Sequence, residues 1–372
     1  MHPRSLFRRG MKAAAITVVA ALALSACARE ASTDSAEPAD NTEMSAEQLE
    51  QVWAGKTVRF ICSESAGGSL DTTSRAIGRH LGKHLPGNPR VVVENMEGGE
   101  SRIATNYIYT AEPNGLVIGM TDINIPFYTL LGEGEAEGVR WDPNNINWLG
   151  STSKAPQVLA IHSRTGIDPK DLDAIRAANI KLPYGAVGDG PHTAHVLINE
   201  VLDLNLQPVF GYGGSTERML GLDRGEVDGT VSTWDSLKRQ KGEELANGTL
   251  LPVLQIGGPI DDPTMEGVPT ISDLIAGNPE EDKNLVGVVA DRYEWARPIM
   301  APNGTNPSVL QALRTGITDT LSDPDFLAEA EKLGIDIEPA TGEEVTERID
   351  AYLQLDTAAV ERLQTAIGAD GS

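Results

Sequence analysis

Short apolar runs alternate with helical patterns along this chain from about residue 55 onward, and this alternation constrains the fold more than any other feature. The runs at 58–62 and 117–120 have the length and branched side chains of buried strands. Amphipathic stretches such as 102–110 and 215–224 follow them. Strands that alternate with helices predict an α/β architecture. Because this region is longer than a typical domain of ~100–200 residues, we predict two α/β lobes, and a cleft between such lobes is a usual place for a small ligand.

The predicted elements are short, and turn residues mark their ends. The predicted strands lie at 58–62, 91–94, 117–120, 147–152, 158–162, 209–212, 229–232 and 251–256. The predicted helices lie at 71–85, 102–110, 171–177, 192–202 and 215–224. Three further helices are predicted to begin after Asn306, Asp323 and Thr341, and the last of them to reach about Ile367.

The N-terminus has the layout of an export signal. Basic residues precede an apolar core at 13–24, and Leu-Ser-Ala-Cys follows at 24–27. A cysteine in this position resembles the lipobox of bacterial lipoproteins, in which the mature chain begins at a lipid-modified cysteine. We therefore predict a signal peptide at 1–26, lipidation of Cys27 and an extracytoplasmic protein anchored to the bacterial cell membrane. The alternative is an ordinary secretory signal with an incidental cysteine.

The segment after this cysteine predicts an acidic tether. Residues 28–41 are mainly Ala, Ser, Thr, Asp, Glu and Pro, with almost nothing to bury, which is typical of disorder. Ser45 and Gln48 have the spacing of a capping box, so a short helix is expected to reach Trp53. The tether and this helix together occupy 27–54. The other cysteine, Cys62, lies in an apolar run and is predicted to pack as a small hydrophobic residue.

The net charge restricts the partners of the chain. At pH 7 the sequence carries a formal charge of −24. A surface this acidic argues against nucleic acid and against adhesion to anionic lipid. It also repels an anionic ligand over long range, so an anion site must be built locally from backbone N–H groups and a few side chains.

A strand–glycine–helix junction is the first candidate site. The apolar run at 58–62 leads through Gly-Gly-Ser-Leu-Asp at 67–71 into a predicted helix. Glycine lets the backbone turn tightly, and the N-terminus of a helix favours a carboxylate or phosphate. A plain strand-to-helix turn explains the same residues. Asp71 is either a ligand contact or the N-cap of the helix.

Other loops resemble this junction because they also follow predicted strands and are rich in glycine or small polar residues. They lie at 121–124, 184–193 and 210–216, and an open α/β cleft uses such loops to hold a ligand. Trp234 and Asp235 follow another strand; they line the cleft, or Trp234 packs between the lobes. The candidate ligand contacts are Ser65, Gly67, Gly68, Ser69, Asp71, Asp122, Asn124, Ala186, Gly188, Gly190, His192, Thr193, Tyr212, Gly213, Trp234 and Asp235.

Enzyme motifs are incomplete in this sequence. Gly-Gly-Ser-Leu-Asp at 67–71 begins like a nucleophile elbow but ends in Asp where that motif requires Gly. The pairs His80/His84 and His192/His195 have helical spacing, but no matched set of carboxylates or cysteines accompanies them. We therefore predict no catalysis, no metal and no cofactor.

Several segments, taken in order, resemble the solute receptors of tripartite tricarboxylate transporters, often called Bug-type receptors. The family's Gly-Gly-Ser-x-Asp loop matches 67–71, and its Val-Val-Glu-Asn strand matches 92–95. Its Tyr-Gly loop matches Tyr-Gly-Ala-Val-Gly-Asp-Gly-Pro-His-Thr at 184–193, and its Gly-x-Val-Asp strand entry matches 225–228. The matches keep the family's order and spacing from Lys56 to about Leu355.

The resemblance implies a periplasmic-binding fold of two lobes with a ligand cleft between them. Residues 55–153 and 270–356 would form lobe 1, residues 154–269 lobe 2, and residues 357–372 the end of a C-terminal helix and a tail. Family members hold a carboxylate between the Gly-Gly-Ser-x-Asp loop and the Tyr-Gly loop, and closure presents the loaded receptor to transporter membrane subunits. We further expect a monomer.

The chain departs from the family before the double glycine. Ser-Glu-Ser-Ala at 63–66 replaces the usual proline or aromatic residue. The charge of Glu64 disfavours a di- or tricarboxylate ligand. Two alternatives therefore stay open: a receptor of the same fold for a neutral or zwitterionic solute, and a cell-surface metal-binding protein or hydrolase.

Overall fold

The computed structural model describes residues 43–99, 101–130 and 138–370. The predicted signal peptide, Cys27 and nearly all of the tether lie outside these residues.

The strands are β1 Thr57–Cys62, β2 Arg90–Asn95, β3 Val117–Met120, β4 Asn147–Ser153, β5 Gln157–His162, β6 Lys181–Pro183, β7 Gln207–Val209, β8 Gly229–Thr233, β9 Leu250–Ile256, β10 Ala296–Ala301 and β11 Ala340–Thr341. The helices are α1 Ala46–Trp53, α2 Ser69–Leu81, α3 Arg102–Thr110, α4 Ile125–Leu130, α5 Leu172–Ala178, α6 Gly190–Leu202, α7 Ser215–Arg224, α8 Trp234–Ala246, α9 Ile271–Leu274, α10 Glu280–Ala290, α11 Pro307–Ser322, α12 Pro324–Leu333, α13 Gly342–Tyr352 and α14 Thr357–Asp370.

The first lobe is built on a six-stranded sheet with the order β11-β4-β10-β3-β1-β2. β1 pairs in parallel with β2 and β3, whereas β10 is inserted antiparallel between β3 and β4. This insertion brings the beginning of β10 next to the end of β3, where the N–H of Thr121 donates to the Pro298 carbonyl at 3.0 Å. Residues from distant parts of the chain therefore meet where these two central strands end and begin.

The second lobe is built on a three-stranded antiparallel sheet, β8-β5-β9, and on the parallel pair β6-β7. β6 lies beside the entry to β8, because the N–H of Asp228 donates to the Lys181 carbonyl at 2.9 Å. α10 and α14 pack against α6, and Arg362 on α14 pairs with Glu200 and Asp282. The molecule is thus a two-lobed α/β protein, and the residue limits of the lobes stay a prediction.

Near both ends of the described chain, helices begin at the capping residues that the sequence predicts. Ser45 and Gln48 form the expected capping box, and α1 ends at Trp53, whose buried indole donates to the Gly115 carbonyl at 2.9 Å. Asn306 and Asp323 cap α11 and α12. Within the described ranges, no helix has both the length and the apolar character that a membrane crossing requires.

Two predicted elements are wrong in part. The strand expected at 209–212 ends at Val209, and the residues after it form a loop in which Gly211 has a positive φ of 103°. The single helix expected to run from 342 to about 367 is two helices, α13 and α14. Asp356 begins the second one, because its side chain accepts the N–H of Ala358 at 2.9 Å. The sequence analysis also did not predict β6, β10, β11, α4, α8, α9 or α10.

Candidate functional site

A cleft of about 380 Å³ lies between the two lobes. The first lobe contributes the N-terminus of α2, the end of β3 and the beginning of β10. The second lobe contributes the beginning of β5, the end of β8 and the first turns of α6, α7 and α8. The cleft is lined by Ser69, Leu70, Thr121, Asp122, Ile123, Ala155, Gln157, Pro191, Ser215, Arg218, Ser232, Thr233, Asp235, Ser236, Arg239, Ala296 and Arg297.

Three arginines from different elements line this cleft: Arg218 on α7, Arg239 on α8 and Arg297 in β10. The Arg218 side chain is 11% exposed, and the carboxylate that pairs with it, on Asp189, is as far as 3.8 Å away. Burial lowers the pKa of the Arg218 guanidinium, although an arginine stays charged at any physiological pH. Its Nε–H is buried and has no acceptor among the described residues. The guanidinium therefore has unused donor capacity next to the cleft.

Arg297 connects the two lobes. Its Nη1 donates to Ser153 Oγ at 2.8 Å, and its Nη2 lies 3.5 Å from Asp235 at the start of α8. Its φ is +53°, in the left-handed region that costs a residue with a Cβ about 1–2 kcal/mol. Burial raises the pKa of Asp235, and Arg297 only partly opposes this rise. The distance between Arg297 Nη2 and Asp235 is long for an ion pair, so neither group fully satisfies the other. Each can therefore form a hydrogen bond to a ligand group instead.

Buried neutral groups complete this wall of the cleft. Thr121 and Gln157 are almost fully buried, and Thr121 Oγ1 and Gln157 Oε1 lack a hydrogen-bond partner within the described ranges. A buried polar atom without a partner costs about 1–3 kcal/mol, so such atoms are normally satisfied by water or by a ligand. Both side chains face the same space as the arginines.

A second cavity, of about 520 Å³, adjoins the first and shares Asp122 with it. Residues 187–190 of the second lobe form one side. The other side is aromatic and polar, and it includes the guanidinium of Arg292. The full lining is Ser101, Asp122, Asn124, Phe127, Tyr128, Val187, Gly188, Asp189, Gly190 and Arg292.

The glycine junction before α2 is occupied by a side chain of the protein itself. Glu64 Oε2 accepts the N–H of Leu70, in the first turn of α2, at 2.7 Å. A Cβ added at Gly68 would lie 2.2 Å from the Glu64 carboxyl carbon, so a side chain at this position would displace the Glu64 carboxylate from its place over the loop. The anion that sits at this helix N-terminus is therefore Glu64, and Glu64 does not line the cleft.

Asp71 braces the same loop from inside the first lobe. It is buried; its Oδ2 accepts the Gly67 N–H at 2.8 Å, and its Oδ1 accepts from Asn95 at 2.8 Å. Burial works to raise the pKa of Asp71, but hydrogen bonds from Arg75, Gly67 and Asn95 outweigh it and hold the pKa below its usual value. The N-cap of α2 is Gly68, so Asp71 is neither the N-cap nor part of the cleft lining.

The 184–193 loop is shaped by its own polar groups. Asp189 caps α6 by accepting the His192 N–H at 2.8 Å, and it also accepts the Gly185 N–H at 2.9 Å. His192 is fully buried, and its Nδ1 accepts the Gly188 N–H at 2.9 Å. Thr193 Oγ1 donates to the Asp189 carbonyl at 2.9 Å. These side chains hold the loop, so that residues 187–191 reach the two cavities.

Comparisons with known proteins agree with this architecture. No family model and no curated protein matches the sequence. Among solved structures, a TctC solute-binding protein from Polaromonas superposes with a TM-score of 0.66 at 14% identity, covering 83% of this chain and 99% of that one. A protein of R. palustris solved with adipate gives 0.58 at 18% identity, covering 85% and 98%. MatC from Rhodopseudomonas palustris, with bound malate, gives 0.52 at 17%, covering 85% and 98%.

The chain has the fold of a periplasmic solute-binding protein. The resemblance to tripartite tricarboxylate receptors that the motifs predict is confirmed at the level of this fold. The expected α/β class with two lobes is confirmed as well.

In this solute-binding fold, the sequence-predicted contacts fall into two groups. Those that line the two inter-lobe cavities are Ser69, Asp122, Asn124, Gly188, Gly190 and Asp235. Trp234 is mostly buried in the second lobe and borders a neighbouring cavity. The remaining residues shape the loops around the cavities and do not line either one: Ser65, Gly67, Gly68, Asp71, Ala186, His192, Thr193, Tyr212 and Gly213.

The sequence reasoning missed every arginine of the site. Arg218 had a usable signal, because it lies one turn into the helix that follows Gly213 and Gly214. Arg297 had none, since its place depends on the pairing of β10 with β3 and β4.

The histidine pairs have other partners. His80 Nε2 lies 2.8 Å from Glu329, and His84 Nε2 lies 2.8 Å from Asp323. His195 is buried against Tyr184, and burial lowers its pKa to about 3, so it is neutral at physiological pH. In the described part of the chain, no group of three or more His, Cys, Asp or Glu side chains is placed to hold a metal ion.

Proposed function

We propose that this protein is an extracytoplasmic receptor that captures a small organic carboxylate between its lobes and delivers it to a membrane transporter of the tripartite tricarboxylate type. One observation carries the proposal. Arg218, Arg239 and Arg297 converge on a single inter-lobe cleft in a chain whose net charge is −24.

The electrostatics of the cleft support a carboxylate. At moderate salt the repulsion of anions by the overall charge is largely screened beyond about 10 Å, so a cluster of cations within the cleft itself decides whether an anion binds there. A guanidinium presents a planar fork of donors that matches a carboxylate. The unpartnered Arg218 Nε–H and the Arg297 Nη2 group, which lies 3.5 Å from Asp235, are available for such a contact. Thr121, which lies beside β10 in the first lobe, offers a hydroxyl donor as well.

The wider biology is part of the same proposal. Lipidation of Cys27 would hold a monomeric receptor at the bacterial cell membrane. The first lobe would close against the second around the solute. The solved neighbours with adipate and malate support a carboxylate solute. Ser69, Asp122, Asn124, Gly188, Gly190 and Asp235 are the proposed contacts that the sequence suggests, and the cleft arginines are added to them.

Thermal unfolding of the purified protein with a panel of mono-, di- and aromatic carboxylates tests the proposal. A true ligand at a hundredfold excess over Kd adds about 2.7 kcal/mol to stability and raises the unfolding midpoint. R218Q should abolish this rise. R224Q is the matched control, because Arg224 lies on the same helix but is 66% exposed at its far end. A panel without any stabilising carboxylate would overturn the proposal.

A zwitterionic solute is the second candidate, because two carboxylates line the same cleft as the arginines. Asp122 and Asp235 both face this space and can accept hydrogen bonds from an ammonium group. Amino acids belong in the same thermal panel for this reason. Zwitterions are the ligand class if amino acids raise the unfolding midpoint of the wild type and simple carboxylates do not. The D235N substitution should then abolish the rise caused by amino acids.

A further inference from the structure

Two of the segments in which the chain passes between the lobes are hydrogen-bonded to each other, and we call them the hinge segments. Residues 154–156 connect β4 of the first lobe to β5 of the second. Residues 291–295 lead from α10, which packs against α6, back to β10. The N–H of Ala155 donates to the Tyr293 carbonyl at 2.8 Å. Rotation of one lobe against the other is absorbed by such connecting residues.

The carboxylate of Glu294, in the second hinge segment, contacts the second lobe through one oxygen. Its Oε1 accepts the N–H of Gly258, just after β9, at 2.9 Å. Gly258 is fixed to the second lobe, because β9 belongs to the sheet of that lobe and the N–H of Ile260 donates to Gln255 Oε1 at 2.7 Å. A rotation of the second lobe therefore carries Gly258 with it.

The other oxygen of Glu294 faces the first lobe. Oε2 lies 3.7 Å from the guanidinium of Arg348 on α13, a helix that packs against β4, and Arg348 also donates to the Glu294 carbonyl at 2.9 Å. Lys154 lies 3.6 Å from Oε2 and 2.6 Å from Glu338. Glu338 is tied to the first lobe, because its N–H donates to the Thr152 carbonyl at 3.0 Å. One carboxylate thus connects the two lobes.

The bond between Glu294 and Gly258 depends on the absence of a side chain at Gly258. A Cβ added there would lie 2.7 Å from Glu294 Oε1. The φ of Gly258 is not in the left-handed region, so its conformation alone does not call for glycine. The Glu294 side chain is 25% exposed, so water screens the carboxylate only in part. A hydrogen bond to a carboxylate is also stronger than one between neutral groups.

This bond depends on how the lobes are turned. Gly258 and Arg348 lie on opposite lobes with Glu294 between them. A rotation that lengthens the bond to Gly258 by about 1 Å removes it, because a contact beyond ~3.5 Å is no longer a hydrogen bond. The bond therefore favours the arrangement in which arginines of both lobes line one cleft. Glu294 itself lines neither the cleft nor the second cavity.

We propose that Glu294 and Gly258 form a latch between the lobes, which keeps the receptor without solute in the arrangement that binds solute. The inference rests on the proposed function, since it regulates the same cleft. Glu294 is a positioning residue and does not touch the solute. Apparent affinity is the intrinsic affinity reduced by the fraction of molecules in the binding arrangement. Loss of the latch should therefore weaken every solute by the same factor.

Distances between spin labels on the two lobes, measured by pulsed EPR, test the latch without any ligand. T318C on α11 and A177C on α5 place labels at exposed positions, one in each lobe. C27S removes the other thiol that could react, since Cys62 is buried. E294A should broaden the distance distribution or shift its maximum. An unchanged distribution in E294A would overturn the latch, whether or not any carboxylate binds.

Calorimetric titration of the purified protein with a panel of carboxylates gives the second measurement. E294A should weaken all acids that bind by one common factor of about 3 to 10, as the loss of a charged hydrogen bond allows. A changed ratio between the affinities of two acids would mean that Glu294 contacts the solute, which contradicts a positioning role. If no acid binds to the wild type, the proposed function fails, and the distance measurement still decides the latch.

G258A tests the same contact from the second lobe. The added methyl group displaces Glu294 Oε1 but leaves the charge of Glu294 in place, so this variant decides the matter if E294A fails to fold. G258A should alter the distances as E294A does, and the double variant should alter them no further, because both changes remove one contact. A wild-type distribution in G258A beside an altered one in E294A would contradict the latch.

Two controls match these variants. G277A also adds a methyl group in the second lobe, but a Cβ at Gly277 meets nothing within 4 Å. E343A also removes a glutamate of an ion pair, but Glu343 pairs with Arg314 at 3.0 Å within the first lobe. Neither control should change the distance distribution or the affinities. A change in either control as large as that in E294A would show that the effect is not specific to the latch and would overturn it.

Discussion

Glu64 accepts a hydrogen bond from the N–H of Leu70 at 2.7 Å, so the first turn of α2 is capped by a carboxylate of the protein itself. A negative group at a helix N-terminus is stabilised by the exposed N–H groups and by the helix dipole. The glycines of the junction leave room for this side chain, as the 2.2 Å approach at Gly68 shows. Glu64 therefore belongs to the architecture of the loop, and its charge is already matched.

Replacement of Glu64 should affect stability more than binding. E64A removes a capping acceptor, and we expect a loss of about 1 kcal/mol in the free energy of unfolding in urea. Carboxylate affinity should stay within about twofold, because Glu64 does not line the cleft. E97A, at an exposed loop position, is the control and should change neither quantity. A large change in affinity with unchanged stability would contradict this interpretation and return Glu64 to the ligand site.

Local patterns in the sequence were enough to predict most of the fold. The helices at 102–110 and 215–224 and the strand at 117–120 are found at the predicted limits, since periodicity and flanking turn residues act over a few positions. The capping box of Ser45 and Gln48 is equally local. The sequence analysis did not predict elements that form only through contacts with distant parts of the chain. The main example is β10, which is inserted between β3 and β4.

The candidate site was predictable only as a set of loops. Glycine and small polar residues after strands pointed to the correct edges of both lobes, but they did not show which side chains face the cleft. His192 and Asp71 have the residue types of ligand contacts and are instead used to hold their own loops. Arg292 follows α10, a helix absent from the sequence prediction, and its environment is created by Phe127 and Asn124, which lie far from it in the chain.

Replacement of Arg297 should weaken carboxylate binding, and its effect on stability should depend on the residue that replaces it. Both R297A and R297G remove the guanidinium, so carboxylate affinity should fall at least about 10-fold in each, as expected for loss of a charged hydrogen bond. Only glycine also removes the cost of the positive φ of 53°, so R297G should be about 1 kcal/mol more stable than R297A in chemical denaturation.

The same pair of changes at Asn205 provides the control. Asn205 is exposed with a φ of 51°, so N205G should also be more stable than N205A, but neither should alter affinity. Equal stability of R297A and R297G would argue against strain at this position.

Asp235 should make stability depend on pH in the opposite sense to an ordinary ion-paired carboxylate. Burial raises its pKa in the folded protein, so the folded state keeps the proton at pH values where the unfolded chain, with a pKa of about 3.9, has lost it. The stability that protonated Asp235 contributes to the fold is therefore lost as the pH rises through the pKa of this residue in the folded protein. D235N should raise stability at neutral pH, because the amide carries no charge that burial disfavours. D261N, at an exposed site in the same lobe, should have no such effect in urea titrations at acid and neutral pH.

Asp323 should protect the fold against acid. It pairs with Lys83 at 2.5 Å and with His84 at 2.8 Å, and it also caps α12 by accepting the Asp325 N–H at 2.8 Å. The hydrogen bond from Lys83, followed by that from His84, holds the pKa of Asp323 well below its usual range. A depressed pKa gives stability that is present above the unfolded pKa and lost as the pH falls through the folded one.

D323N keeps a capping side chain but removes the charge, so it should lower the unfolding midpoint at neutral pH and reduce the loss of stability on acidification. D325N is the matched control, because Asp325 is 85% exposed and lies 3.7 Å from the same lysine. Surface pairs of that kind contribute little, and D325N should follow the wild-type pH profile. Identical acid profiles for D323N and the wild type would show that the α2–α12 contact is held by packing of Phe326 against His80 rather than by these charges.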